Sequence, residues 1–221
     1  MVKKILQFQK NPARNASHSD AGGEKVLRQI AQMVPVHDVK TEKIKKVLKE
    51  ISLALQSQSD GVALAAPQIG YSLRIFIVSG KIFAKDFTKN KLAHNATHSD
   101  MGKEEIFLNQ NNPVNEEKTP LSNLSLGKSK EGKNLVFINP KILKLSRTKE
   151  WMPEGCLSVR PLYGKTFRST KATITAYDEN GKKFTRGASG LLAQIFQHET
   201  DHLNGILFID HAKDIKEEVP K

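Results

Sequence analysis

The pattern of hydrophobic and polar positions predicts two helices. Residues 41–55, TEKIKKVLKEISLAL, repeat apolar side chains at helical spacing with Thr41 in the N-cap position, so their lysines form the solvent-facing side. Residues 191–205, LLAQIFQHETDHLNG, predict a second helix, which Gly205 ends. The apolar positions expected in the core are Ile44, Val47, Leu48, Ile51 and Leu55 in the first helix and Leu191, Leu192, Ile195 and Phe196 in the second.

Other segments predict strands and their connections. LRIFIV (73–78) is rich in β-branched and aromatic residues, which favours a strand, and LVFINPKIL (135–143) restarts an ordered pattern after a polar stretch. Residues 171–189 alternate around a turn near Asn180 and predict a hairpin. GVALAAPQIG (61–70) is interpreted as a small-residue loop, and ILFIDH (206–211) as a short apolar tail.

Residues 80–133 differ in composition from the rest of the chain. Asn, Ser, Lys, Gly and Pro dominate there, which predicts a polar surface insertion into a single domain of residues 1–221. Two similar segments, NASHSDAG (15–22) and NATHSDMG (95–102), lie in polar surroundings. Their histidines, His18 and His98, are interpreted as surface residues rather than metal ligands.

The composition favours a soluble protein of a reducing compartment. The 221 residues include one cysteine, Cys156, which excludes an internal disulfide. No apolar run approaches the roughly 20 residues of a membrane helix, and no secretory signal is evident, so we expect a cytoplasmic location without membrane binding. The net charge of +12 would attract polyanions such as ribosomal RNA, but the lysines are scattered with little aromatic interleaving.

The stretch QHETDHLNG (197–205) carries the clearest chemical pattern. His198 and His202 are four residues apart, so on a helix both imidazoles face one side and can bind one metal ion. A helical His-Glu-x-x-His suggests a zinc protease, which needs a third protein ligand. Phe208 occupies the position of one protease class's third ligand, and the downstream glutamates Glu217 and Glu218 lie in a polar tail. Cys156 is the best remaining ligand.

Three segments together resemble one known family. GVALAAPQ (61–68), EGCLS (154–158) and HETDH (198–202), in this order, are similar to the motifs of peptide deformylase, and the resemblance extends from about residue 24 to 211. It implies an α+β fold in which antiparallel sheets wrap around a central helix carrying the histidines. It also implies a metal-dependent hydrolase that removes the formyl group from the N-terminal formyl-methionine of newly made polypeptides.

The resemblance implies a role for each motif residue. Cys156, His198 and His202 would hold one divalent ion, with Fe²⁺ as the expected native metal and Zn²⁺, Ni²⁺ or Co²⁺ as alternatives. Water on the metal would attack the formyl carbon, with Glu199 as general base. The Gln68 side chain and the Leu157 N–H would stabilise the oxyanion. The expected substrate-binding residues are Gly61, Val62, Ala63, Leu64, Glu154 and Gly155, with Glu154 also supporting the metal ligands.

Three features depart from the family pattern. Ala63 stands where the first motif has its second glycine, Arg160-Pro161 follows the cysteine motif, and residues 80–133 are an insertion. Retained activity is expected, because an extended backbone tolerates alanine. The implied partners are N-formyl-methionyl nascent peptides and, transiently, the ribosome, with no DNA and a monomeric chain. A zinc endopeptidase and a non-catalytic homologue remain as alternatives.

Overall fold

The computed structural model describes residues 2–8, 24–84 and 132–218. Within these ranges the chain forms two helices of more than one turn, α1 (Glu42–Gln56) and α2 (Gly190–Leu203). The strands are β1 (Ala63–Ala65), β2 (Ile75–Val78), β3 (Leu135–Leu145), β4 (Lys149–Gly155), β5 (Leu162–Ser169), β6 (Lys171–Tyr177), β7 (Lys183–Ser189) and β8 (Lys213–Glu217). They form one sheet in the order β1-β2-β3-β6-β7 and a second in the order β4-β5-β8, with antiparallel pairing throughout.

The larger sheet is buried between the two helices. Ile75 and Ile77 of β2 belong to the apolar cluster that contains Ile51 of α1. The alternate residue Phe76 faces the other way and joins a cluster with Phe196 of α2. Because successive side chains of a strand point to opposite faces, burial on both sides explains why β2 is apolar at every position.

The histidine-bearing helix lies between the two sheets. α2 packs against β1, β3, β6 and β7 of the larger sheet and against β5 of the smaller one. It ends before Gly205, which has a φ of 73° and leaves no space for a Cβ because the Arg28 carbonyl oxygen would lie 2.4 Å away. The predicted α+β architecture, with antiparallel sheets wrapped around the helix of the HETDH motif, is confirmed.

Both long predicted helices and the 171–189 hairpin are confirmed, but one local prediction was wrong. The segment 61–70 is not a plain loop, because it contains β1 and a 3-10 turn, Ala66–Ile69. The polar tail contains β8, whose five residues are all exposed and therefore lack a hydrophobic alternation. Thr41 is the N-cap residue of α1 as predicted, although its hydroxyl donates to the Asp38 carbonyl oxygen and makes no capping hydrogen bond to the helix.

Two sequence predictions fall outside the described residues. Most of the 80–133 insertion lies outside the described residues. Residues 80–83, at its start, form a 3-10 turn. The two similar segments at 15–22 and 95–102 are also outside the described ranges. Among the helices that are described, none has the length and apolar character required to cross a bilayer.

Candidate metal centre and active site

Three potential metal ligands meet between α2 and the turn that follows β4. His198 and His202 lie on consecutive turns of α2, with ring centroids 4.8 Å apart. Cys156 follows the end of β4, and its Sγ lies 3.1 Å from Nε2 of His202. The donor atoms of all three side chains lie within 4.8 Å of one another. The fold therefore brings together the three residues that the sequence predicted as ligands.

The geometry and chemistry of this group fit a divalent metal. Donors that share a tetrahedral ion at bond lengths of about 2.0–2.3 Å lie roughly 3.4–3.7 Å apart, a spacing compatible with this cluster. His202 is 1% exposed, and burial lowers its pKa well below the usual range, which keeps the imidazole neutral and able to donate a lone pair. A sulfur with two imidazoles is a donor set suited to Zn²⁺ and Fe²⁺.

Glu154 fixes the orientation of His198. Its Oε1 lies 2.7 Å from Nδ1 of His198, so the carboxylate accepts the Nδ1–H and leaves Nε2 for a metal. Burial opposes a charged His198, but Glu154 and Cys156 outweigh burial and raise the pKa of His198 well above its usual value. Metal binding through this imidazole would therefore release a proton.

Glu154 is itself held by a buried network that the sequence did not predict. Arg168 donates to both carboxylate oxygens of Glu154 at 2.7 and 3.1 Å, and Thr166 donates to Oε2 at 2.6 Å. Arg168 also donates to Asp201 at 2.5 Å, so Asp201 positions the arginine and not a ligand histidine. An isolated arginine in the TFRST strand was the available signal, because a buried cation needs an acidic partner.

We expect Arg168→Met to destabilise the protein in a pH-dependent way. Burial would raise the pKa of Glu154, but His198 and Arg168 reverse this and hold it well below the usual range. Its carboxylate therefore stabilises the fold above the unfolded pKa of about 4.3, and this contribution is lost as the pH falls from there toward the folded pKa. Removing one partner of a buried pair should cost about 3–5 kcal/mol at pH 7.

Denaturant unfolding at pH 7 and at about pH 4 would measure this effect. The deficit of Arg168→Met should shrink at the lower pH, because the unpaired Glu154 can then take up a proton. Lys133→Met is the matched control, since Lys133 forms an ion pair with Glu179 but its side chain is 83% exposed. Equal stability losses in the two variants would contradict the assigned role of the buried pair.

Gln68 is positioned with its amide nitrogen beside the three candidate metal ligands. Its Oε1 accepts the backbone N–H of Ala65 at 2.8 Å, which fixes the orientation of the amide group. Its Nε2 lies 3.1 Å from the Ser158 hydroxyl and 3.5 Å from Sγ of Cys156. The side chain is 2% exposed, so a buried polar donor is presented beside the cysteine.

Glu199 is a buried carboxyl group in the same site. The side chain is 3% exposed, and its Oε2 has no hydrogen-bond partner among the residues that the structure describes. Burial raises the pKa of Glu199 to about 7, partly opposed by His198. A carboxyl group of this kind can exchange a proton near neutral pH, as a general base requires.

A cleft of about 470 Å³ opens onto these groups. Ten of the twelve predicted site residues line it: Gly61, Val62, Ala63, Gln68, Glu154, Gly155, Cys156, Leu157, His198 and Glu199. His202 is buried and does not line the cleft. The side chain of Leu64 is fully buried in the core cluster with α1, so it does not line the cleft.

β1 forms one wall of the cleft and is the edge strand of the larger sheet. The Ser79 N–H donates to the Val62 carbonyl, so Val62 directs its backbone polar groups toward β2. The two-residue alternation of an antiparallel strand places Leu64 the same way and turns the N–H and C=O of Ala63 toward the free edge. Ala63 is thus the residue of β1 whose backbone is available to an added strand.

The opposite wall is packed closely around Gly155. A Cβ at this position would lie 2.4 Å from the Tyr163 ring, so only glycine allows the ring to approach. At the mouth, Arg160 donates to Asp60 at 2.5 Å and to Gln58 at 3.1 Å. This ion pair joins the segment before β1 to the turn after Cys156, and the motif comparison did not identify it.

Comparison with known proteins identifies the family. The polypeptide deformylase family model matches residues 21–218. Peptide deformylase from Halothermothrix orenii is 35% identical over 200 residues, covering 89% of this chain and 94% of that protein. The enzyme from Borreliella burgdorferi is 34% identical over 173 residues, covering 78% and 75%.

Solved structures show the same fold. A class I type b peptide deformylase from Acinetobacter baumannii bound to Met-Ala-Ser superposes with a TM-score of 0.64 at 23% identity, covering 96% of this chain and 98% of that one. A peptide deformylase from Legionella pneumophila gives a TM-score of 0.62 at 26% identity, covering 97% and 88%. This chain belongs to the peptide deformylase family, metal-dependent hydrolases that remove the N-formyl group from nascent peptides.

Proposed function

We propose that Cys156, His198 and His202 hold the catalytic metal and that the cleft beside them binds the formylated start of a nascent polypeptide. The proximity of the three donor atoms, all within 4.8 Å of one another, is the observation that carries this proposal. When bound, a divalent ion in such a site supplies Lewis-acid chemistry that acidifies water and polarises a carbonyl group. We expect Fe²⁺ as the native ion, with Zn²⁺, Ni²⁺ and Co²⁺ as substitutes, because thiolate and imidazole ligands suit all four.

Glu199 moves the proton in the proposed mechanism. Its buried carboxylate accepts a proton from the attacking water and later passes it to the amine that leaves when the formyl C–N bond breaks. The raised pKa of about 7 supports this assignment, since the group can both accept and return a proton near neutral pH. Its unpaired Oε2 is available for the water, because no described side chain competes for it.

Gln68 and Leu157 stabilise the negative charge that develops on the formyl oxygen. The Gln68 amide is held rigidly through Ala65, and the Leu157 N–H belongs to the turn directly after Cys156. Both residues line the cleft. Donors fixed in advance cost little reorganisation in the transition state, and loss of one typically raises the barrier by about 3–4 kcal/mol.

The peptide binds as an added strand along β1. Ala63 lies on the free edge, where main-chain hydrogen bonds recognise an extended peptide without regard to its sequence. Gly61 precedes β1, and its N–H donates to the Gln58 carbonyl, which leaves its C=O for the peptide. Val62 and Leu64 are bonded toward β2 and support the edge. Gly155 supports the opposite wall, and Glu154 contributes by orienting His198 rather than by contacting peptide. The Met-Ala-Ser complex of the Acinetobacter relative supports a short N-terminal peptide as the occupant of this cleft.

We expect Ala63→Pro to raise KM for formyl-Met-Ala-Ser about tenfold with a smaller effect on kcat. Proline removes the outward N–H and is tolerated in an edge strand when that N–H does not pair within the sheet. Loss of one hydrogen bond costs about 1 kcal/mol or slightly more. Ala63→Gly retains the N–H and is the control, which should keep KM near the parent value. Equal KM values for the proline and glycine variants would show that the peptide does not pair with this residue.

The wider setting follows from the sequence and the proposed substrate. We propose that residues 1–221 form one catalytic domain, with about 80–133 as a surface insertion, that acts as a monomer in the cytoplasm. Its partners are N-formyl-methionyl nascent peptides, met during transient association with the ribosome, and neither DNA nor membrane is among them. Size-exclusion chromatography would test whether the chain is a monomer. Co-sedimentation with ribosomes at low and high salt would test the ribosome association.

A direct assay tests the function. Protein purified anaerobically and supplied with Fe²⁺ or Ni²⁺ should release formate from formyl-Met-Ala-Ser and leave unformylated peptides intact. Cleavage of internal bonds in unformylated peptides would instead indicate the zinc endopeptidase that the histidine motif alone suggested. A chain that binds metal and peptide but releases no formate would be a non-catalytic homologue.

A further inference from the structure

The outer face of the smaller sheet carries two exposed aromatic rings. Trp151 of β4 and Phe167 of β5 are cross-strand partners, with ring centroids 5.2 Å apart. The residues are 42% and 50% exposed, although side chains of this size usually lie in a core. Neither residue lines the active-site cleft. Their exposure is therefore not explained by the proposed reaction.

Lysines from all three strands surround these rings. Lys213 of β8 places its Nζ 4.7 Å from the centroid of Trp151, and Lys149 of β4 places its Nζ 5.9 Å from that of Phe167. Lys165 of β5 pairs with Lys213 across the strands and has a side chain that is 57% exposed. We call Lys149, Trp151, Lys165, Phe167 and Lys213 the aromatic–lysine face. Asp214 lies 3.5 Å from Lys165 and offsets part of its charge.

We propose that the aromatic–lysine face binds single-stranded RNA. Exposed rings on a sheet give bases a surface on which to stack, and the ammonium groups that lie over these rings are available to phosphates. The chain's net charge of +12 adds a longer-range attraction to a polyanion. This inference rests on the proposed function in one respect, because a substrate still attached to the ribosome is presented beside exposed RNA loops.

The position of the lysines argues against a lipid surface as the partner. Membrane-binding patches insert their aromatic side chains while the charges stay at the rim, at headgroup level. Here the ammonium group of Lys213 lies directly over the Trp151 ring. Burying that ring in hydrocarbon would carry the charge with it, at a high desolvation cost. An RNA strand accepts ring and charge together, since each nucleotide supplies a base and a phosphate.

Around Trp151 and Phe167 the two faces of the β4–β5 pair are chemically separate. Glu154, Thr166 and Arg168 face inward to the metal ligands and are buried, whereas Trp151, Lys165 and Phe167 alternate with them and face outward. Changes on the outer face therefore leave the reacting groups in place. Deformylation of a short free peptide provides an independent readout of the inner face.

Trp151 is the only tryptophan of the chain, so its fluorescence reports on this face. Titration of the full-length protein with a 12-residue oligoadenylate RNA should quench this fluorescence. The logarithm of the affinity should fall with that of the salt concentration with a slope of about −2, since three single-strand phosphate contacts contribute about −0.7 each. Lys149→Glu with Lys213→Glu should weaken binding at least about tenfold and reduce the slope. Phe167→Ala should also weaken it about tenfold, through loss of a stacked base.

Lys43→Glu with Lys46→Glu is the matched control, because it makes the same charge change on exposed residues of α1. All lysine variants should hydrolyse formyl-Met-Ala-Ser at the parent rate. The proposal is overturned if oligoadenylate causes no quenching, if the two lysine pairs weaken binding equally, or if duplex RNA binds as well as the single strand. A shift of Trp151 emission with phosphatidylglycerol vesicles but not with RNA would also overturn it. Normal RNA binding without any formate release would instead contradict the proposed function alone.

Discussion

Glu199→Gln should lower kcat/KM for formyl-Met-Ala-Ser by about 10³-fold, within the 10²–10⁴-fold range of general-base catalysis. The amide is nearly isosteric with the carboxyl group but cannot accept the proton of the attacking water. Because Glu199 lines the cleft and is not one of the three clustered donors that we propose as metal ligands, metal content should stay at the parent level. Formate release and metal analysis on the same preparation would separate the two effects.

The pH profile adds a second test of Glu199. The base must be ionised, so kcat/KM should rise with pH through the pKa of this carboxyl group and then level off. Burial places that pKa at about 7, and the positive charge of a bound cation would shift it to lower pH. The variant should lose this limb of the profile. Glu42→Gln, which removes a carboxylate whose side chain is 88% exposed, is the control and should match the parent enzyme. Activity undiminished in Glu199→Gln would exclude the residue as the base.

The helix of the site could be predicted because its information is local. The spacing of His198 and His202 defines one face of a helix whatever the rest of the chain does, and the apolar positions of α2 indicate how it is buried. Cys156 is more than forty residues away, and no periodicity links it to the histidines. Cys156 could be predicted as the third ligand only by excluding other candidates and from the resemblance of EGCLS to a known motif. In the family that has this motif, the contact between the cysteine and the histidines is already known.

The supporting network could not be predicted because it depends on strand register. Arg168 meets Glu154 only because β5 pairs with β4 in the register that opposes Glu150 to Arg168 and Glu154 to Gly164. A shift by one residue would turn the arginine to the outer face and Phe167 to the inner one. The aromatic–lysine face could not be predicted for the same reason. Its residues come from three strands, are scattered between positions 149 and 213, and meet only through the strand register.

Short edge strands escaped prediction for a different reason. β1 has three residues, two of them alanine, and its propensity is too weak to distinguish it from a loop. β8 is exposed along its whole length, so no apolar alternation marks it. Both pair with a neighbour on one side, and β1 is also the wall along which we propose that the peptide binds. The proposed peptide site therefore lies along the part of the sheet that hydrophobic patterning describes least well.

Cys156→Ser should abolish both metal retention and activity. A serine hydroxyl is not ionised near neutral pH, so the site would lose the anionic sulfur that complements His198 and His202. Loss of a direct ligand should exceed the 10–100-fold decrease in metal affinity that follows loss of a supporting outer residue. Glu154→Gln is the comparison variant and should show the smaller loss of metal affinity, because Glu154 contacts His198 but is not one of the clustered donors.

Metal analysis after anaerobic purification would rank the metal content of the parent protein, Glu154→Gln and Cys156→Ser. Absorption after Co²⁺ loading would show whether the Cys156 sulfur binds the ion. The parent protein and Glu154→Gln should show a thiolate-to-cobalt charge-transfer band, which Cys156→Ser should lack because the chain has no other cysteine. Circular dichroism would show whether the serine variant keeps its fold, because Cys156 is only 8% exposed and the substitution places a hydroxyl at a buried position. A folded Cys156→Ser protein that keeps a full equivalent of metal and parent activity would show that the ion is held without the sulfur. The two histidines would then need a different third partner, and the endopeptidase chemistry that their motif first suggested would have to be considered again.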